Sequence, residues 1–238
     1  MADVTQELMQ DLGYTVLAEH YDTLYSGKDY AGEAGFIRQL LDREQAKTVL
    51  DVGCGTGSHM EVLEAFGFDC TGIDLSRDMI SVAGRKVKGD LYTSDMRGFS
   101  LGLKYDAVIC MYAAFNHMLT VDDAYASLRC MREHIAKGFL LIDLHNPQSD
   151  GAKVEKRDGL ERVMDWSLDR QNNVETTKMR YVVEGKTVED CRKMRIFSIE
   201  DMDEMLSRLG FRDFAAYANC SMAPADSTSK NIEVFARI

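Results

Sequence analysis

Residues 49–57 read Val-Leu-Asp-Val-Gly-Cys-Gly-Thr-Gly, an apolar run that breaks into glycines at alternate positions, Gly53, Gly55 and Gly57. Glycines so spaced let the main chain turn tightly and let a ligand lie against bare backbone. Residues 58–66 follow with a helical pattern, and the free N–H groups of that first turn would face an anion such as a carboxylate. The next apolar run ends in Asp74, where a carboxylate can accept both hydrogen bonds of a ribose diol. Together these features predict a nucleoside site at the carboxyl edge of a sheet. Dinucleotide-binding folds prefer GxGxxG, which puts glycine at position 58; Ser58 stands there and disfavours a nicotinamide oxidoreductase. His117 and His145 each follow a later apolar run on the same edge. An imidazole with a pKa of about 6.5 can accept or relay a proton.

The elements that must position these residues alternate through residue 147. Tyr30, Ala34, Ile37 and Leu41 share one helical face. Strands are expected at 48–52, 69–74, 90–94, 106–111 and 139–144, with helices starting near Ser58 and Ser76. A further helix follows from Val121, Ala124, Leu128, Met131 and Ile135 at helical spacing, stopped by Gly138. Such alternation builds a parallel sheet with helices on both faces. After Pro147 the pattern changes to three extended segments, 160–169, 174–183 and 187–197, with turns at Gln171-Asn172-Asn173 and Glu184-Gly185-Lys186. No helix intervenes, so they should be antiparallel. Ser198 with Asp201 reads as a capping box, Gly210 as the end of that helix, and 214–217 and 232–236 as the last strands. The expected fold is α/β: N-terminal helices and a doubly wound core in residues 1–149, an antiparallel β insertion in 150–197, and a helix and hairpin in 198–238 that complete the core.

Twenty-eight Lys and Arg against 39 Asp and Glu leave a formal charge of −11, which argues against a nucleic-acid or anionic-membrane partner. The six cysteines, at 54, 70, 110, 130, 191 and 220, form no CxxC pair, so no metal centre is expected and a reduced, cytoplasmic chain is the simplest reading. The stretch Met-Ala-Asp-Val-Thr-Gln-Glu lacks the features of a signal peptide, and the longest apolar runs are too short to span a bilayer.

The spacing Gly53-x-Gly55-x-Gly57 behind Asp51 resembles motif I of the class I S-adenosylmethionine-dependent methyltransferases. Gly72-Ile73-Asp74-Leu75-Ser76, Ser94-Asp95-Met96-Arg97 and Tyr105-Asp106-Ala107-Val108-Ile109-Cys110 resemble that family's second, third and fourth strands in order and spacing. The resemblance implies a seven-stranded Rossmann-like sheet with a reversed terminal hairpin, and S-adenosylmethionine as cofactor with S-adenosylhomocysteine as product. It implies that Gly53, Cys54 and Gly55 line the methionine end with Asp51 nearby, and that Asp74 holds the ribose. It also implies that Asp95 accepts from the adenine amino group with Met96 on the ring, and that Leu75 and Met79 touch adenine or ribose.

Residues 21–31, Tyr-Asp-Thr-Leu-Tyr-Ser-Gly-Lys-Asp-Tyr-Ala, resemble the N-terminal segment of the N,N-dimethyltransferases of nucleotide-linked amino sugars. Residues 111–118 resemble their substrate-facing loop, which brings in Met111 on the cofactor and His117 as the residue that takes or relays the amine proton. Tyr21 and Tyr30 are expected to close over the cofactor, since aromatic faces suit a sulfonium or an amine, and Tyr21 is carried with His117 as catalytic. Those enzymes place an antiparallel lid after the fifth strand, which commonly pairs two subunits, so a homodimer through the lid is expected. Glycine and sarcosine methyltransferases share a comparable tyrosine segment and lid. The expected reaction is direct methyl transfer to an amino group of a small molecule, an amino sugar on a nucleotide first. Glycine, sarcosine or another small amine or carboxylate, or a non-catalytic cofactor-binding subunit, are the alternatives.

Overall fold

The computed structural model describes residues 17–183 and 185–238. The stretch read for a signal peptide and Glu184 of the second lid turn lie outside these residues. Residues 17–24 are helical (α1). Then come α2 (Tyr30–Arg43), β1 (Thr48–Val52), α3 (Ser58–Ala65), β2 (Asp69–Asp74), α4 (Arg77–Ala83), β3 (Asp90–Thr93), β4 (Tyr105–Cys110), a 3₁₀ turn (Ala114–His117), α5 (Val121–Glu133) and β5 (Ile135–His145). A separate meander follows, β6 (Gly151–Arg157), β7 (Leu160–Asp169), β8 (Val174–Val183) and β9 (Lys186–Arg195), and then α6 (Ile199–Arg208), β10 (Arg212–Ala218) and β11 (Asn231–Arg237).

One sheet has the order β10-β11-β5-β4-β1-β2-β3, with β11 alone reversed, antiparallel to both β5 and β10. Its central strands are mostly apolar because both faces are covered. Leu50, Val52, Val108, Cys110, Leu140 and Ile142 face α5 and α6. Val49, Ala107, Ile109 and Leu141 alternate with them and face α2 and α3. Local signals set the helix starts: the Asp29 side chain accepts from Gly32 N–H, Ser76 from Met79 N–H, and Ser198 and Asp201 form the expected reciprocal capping box. The second sheet has the order β6-β7-β8-β9, antiparallel throughout. It packs on α1 through Leu160, Met179 and Tyr181 against Leu17 and Leu24.

Two expectations need correction. Gly138 does not stop a helix. α5 ends at Glu133, and β5 begins at Ile135 with Gly138 inside it. The glycine is there because a Cβ would stand 1.5 Å from the Asp106 carbonyl oxygen of β4, where the parallel ladder is irregular. The insertion also has four strands, not three. β6 was hidden because Lys153, Lys156 and Arg157 make an exposed edge with no apolar alternation.

Candidate active site

β1 lies between β2 and β4, so the order of the parallel strands reverses there and a crevice opens at their carboxyl ends. A cavity of about 520 Å³ fills it. The turn after β1 supplies one wall with Gly53, Cys54 and Gly55. Gly55 has φ +55° and nothing within 4 Å of where a Cβ would stand, so the main chain is bare toward the cavity. The Cys54 thiol is pushed well up by burial and by Asp51 and Asp74, which keeps it a neutral wall atom.

Asp74, at the end of β2, accepts Gly55 N–H at 2.8 Å on one oxygen and Ser76 N–H at 2.9 Å on the other. Burial pushes its carboxyl up and the two amides oppose that. Each oxygen keeps a lone pair for a ligand hydroxyl. Leu75 (65% exposed) stands at the rim, while Met79 and Met111 are buried in the wall with Met96 nearby. Asp95 lines the far end, ion-paired with Arg97 at 2.6 Å. Burial raises the Asp95 carboxyl, but the hydrogen bonds and charge of Arg97 outweigh it and hold the group below its ordinary value.

Tyr21 and Tyr30 line the opposite wall together with Tyr112 and His59. Lys28 stands between two of these rings, 4.7 Å from the Tyr30 centroid and 4.4 Å from that of Tyr112, and pairs with Glu33. Glu33 Oε2 lies 2.8 Å from His59 Nε2. His117 closes the same end beside Met118. Burial, and then Arg192 of β9, push its pKa down to about 4.

Of the residues the sequence singled out, Tyr21, Tyr30, Gly53, Cys54, Gly55, Asp74, Leu75, Met79, Asp95, Met96, Met111 and His117 share this cavity. Asp51 does not line it. It is 1% exposed behind the glycine turn, and neither of its oxygens has a hydrogen-bond partner among the described residues. Burial, and then the charge of Asp74, raise its pKa to about 7. Burial and the Arg192 guanidinium also push the His117 imidazole below the ordinary histidine range. Sequence reasoning missed His59, Arg97 and Tyr112. His59 was discoverable, as it falls in the first helical turn beyond the glycine motif, where side chains stand beside the ligand. Trp166 is no part of the cavity; its indole N–H donates to the Ser149 carbonyl at 3.0 Å. Among the described residues, no three or more His, Cys, Asp or Glu are placed to hold a metal ion, and no helix is long and apolar enough to cross a membrane.

Residues 27–215 match the family described as Methyltransferase domain, and the chain belongs to that family; its sheet and cleft are those of the class I S-adenosylmethionine-dependent methyltransferases. A solved S-adenosylmethionine-dependent methyltransferase from Clostridium acetobutylicum ATCC 824 shares the fold, with a TM-score of 0.83 over 94% of this chain and 98% of that one, at 19% identity. An amino pentose methyltransferase from Micromonospora echinaspora, involved in calicheamicin biosynthesis and solved with S-adenosylmethionine bound, gives 0.73 over 94% and 97% at 26% identity. The dTDP-3-amino-3,4,6-trideoxy-alpha-D-glucopyranose N,N-dimethyltransferase of Streptomyces venezuelae is 37% identical over 131 residues, 52% of this chain and 55% of that protein. The chain spans about half the length of the curated relatives it matches. The cavity fits S-adenosylmethionine on its own terms. An unpartnered buried carboxylate lies behind the bare turn, matched to a cation, and Asp74 keeps free lone pairs for a diol.

Proposed function

We propose that this chain transfers a methyl group from S-adenosylmethionine to an amino group of a small molecule, with an amino sugar carried on a nucleotide as the leading acceptor. The observation that carries this reading is a single continuous cavity. The glycine turn, Asp74 and Asp95 occupy one part of it, and His117 and Tyr112 face the other. The printed names of the amino-sugar relatives, together with the tyrosine segment at 21–31, support the acceptor class.

S-adenosylmethionine, when bound, would supply a methyl carbon made electrophilic by the sulfonium sulfur, which leaves as a neutral thioether. The chain's part is to hold the acceptor in line and keep water out. With its pKa pushed down to about 4, the His117 imidazole is neutral at physiological pH. It is too weak a base to strip an ammonium. His117 therefore acts by accepting a hydrogen bond from an amine that arrives neutral, and Tyr21 and Tyr112 provide the aromatic faces around it. The second sheet acts as a lid over this end, and two copies of the chain pair through it.

The test is a methyl-transfer assay, read by mass spectrometry, on dTDP-linked amino sugars, glycine and sarcosine. Turnover on an amino sugar with a higher kcat/KM than on glycine supports the reading. Tight S-adenosylhomocysteine binding with no turnover on any amine removes it in favour of a binding subunit. Sedimentation as a monomer removes the pairing alone.

A further inference from the structure

The 3₁₀ turn that carries His117 is joined to both ends of the second sheet by one side chain. Asn116 is fully buried. Its Nδ2 donates to the His145 carbonyl at 3.1 Å and to the Arg195 carbonyl at 2.8 Å, and its Oδ1 accepts His145 N–H at 3.0 Å. His145 is the last residue of β5, where the chain leaves the core for the insertion; Arg195 is the last of β9, where it returns. Both protons and an acceptor lone pair of the amide are therefore used on backbone groups of two strands that are distant in sequence. Two neighbouring contacts repeat the connection. Arg195 Nη1 donates to the Leu119 carbonyl at 3.2 Å, and Phe115 packs on Phe197 with ring centroids 5.1 Å apart. The second sheet is anchored again at this corner, where His145 Nε2 lies 3.2 Å from Glu175 Oε2 of β8.

We infer that Asn116 is a positioning residue: it fixes the His117 imidazole in the cavity wall by clamping its turn to the two strands that lead into and out of the second sheet. This rests on the reading of His117 as the acceptor-facing residue only where turnover is concerned. The clamp itself is a statement about where the imidazole sits. An amide is required because the two groups it donates to are both carbonyls. A carboxylate at 116 would set oxygen against oxygen twice, though it has nearly the same size and shape.

The experiment is a histidine NMR titration of the full chain, with kinetics and S-adenosylhomocysteine calorimetry on the same samples. In the wild type His117 should titrate at about 4, since burial and Arg192 of β9 act on it. In Asn116→Ala the freed turn lets the imidazole reach water, and its titration should move up toward about 6.5. The value of kcat should fall by about tenfold or more, with S-adenosylhomocysteine affinity changed by less than about twofold. Asn116→Asp should do no better than alanine. Arg195→Ala, which removes only the second connection, should shift the titration in the same direction by less, and it serves as the reporter if the Asn116 variants fail to fold. A His117 titration unmoved in a folded Asn116 variant, or in Arg195→Ala when neither Asn116 variant folds, overturns the inference; so does full rescue by aspartate. If the titration moves but His117→Ala leaves turnover unchanged, the clamp stands and the assignment of His117 to the acceptor fails.

Discussion

Asp51→Asn should make the protein less sensitive to pH and, at the same time, a poorer binder of its cofactor. The Asp51 carboxyl has a raised pKa of about 7, from burial first and the neighbouring Asp74 second. In the unfolded chain an aspartate loses its proton near its ordinary value of about 3.9. Between these two values the native state holds a proton that the unfolded state has released. Stability therefore falls as pH rises from about 4 and levels off above about 7, at about 1.4 kcal/mol per pH unit and about 4 kcal/mol in all. Asparagine has no proton to lose. Its burial adds a constant offset, since neither Asp51 oxygen has a partner to pass on to an amide, but the slope belongs to the carboxyl alone. Urea unfolding of the cofactor-free protein at pH 5, 6, 7 and 8 should show the variant gaining on the wild type at each step up to neutrality. Calorimetry gives the functional half. A cation bound against the glycine turn favours the ionised carboxylate, so S-adenosylhomocysteine should bind the wild type about tenfold more weakly at pH 6 than at pH 8, and the variant with no such dependence. Stability curves for the two proteins that run parallel across this range would refute the reasoning.

Asp74→Ala removes the acceptor that holds both Gly55 N–H and Ser76 N–H, and charge-assisted bonds of this kind are worth about 1.5–3 kcal/mol each. Calorimetry should show S-adenosylhomocysteine affinity reduced by at least about tenfold. His117→Ala should raise KM for the amine, and the wild-type rate profile should show no limb at the ordinary histidine pH, because the group titrates at about 4. A limb near neutrality that vanishes in the variant would restore the general base. Gly138→Ala drives a methyl into the Asp106 carbonyl, 1.5 Å away before relaxation, and should cost about 3 kcal/mol or more in denaturant unfolding, since the obstacle is backbone.

The features visible in the sequence were those set by residues close to one another in it. Apolar runs with both faces covered announced β1 and β4, and the Ser198–Asp201 pair announced α6, because strand burial and helix caps are short-range facts. The cavity residues were visible where motif spacing fixes them, from Gly53 to Asp95. What sequence could not supply was decided across the chain. Gly138 resembled a helix stop until Asp106 of the neighbouring strand explained it. Arg97, which the third-strand motif left without a role, shares the cavity with Asp95 and reaches Asp123 of α5 at 3.5 Å. The charge states of Asp51 and His117 depend on how dry each site is and on Asp74 and Arg192, which lie on other elements.

The antiparallel pairing of β11 with β5 has a consequence for synthesis. β5 carries Phe139, Leu140, Leu141, Ile142 and Leu144, and its free edge is covered by Asn231–Arg237. During translation the parallel strands β1 to β4 can associate as their helices emerge, but β5 must wait through the whole meander and α6 for its partner. Throughout that interval it presents an apolar strand with an open row of backbone donors and acceptors, the kind of edge that recruits strands from other chains. Messages truncated before codon 231 should yield insoluble protein even though every residue of the cavity has already been made.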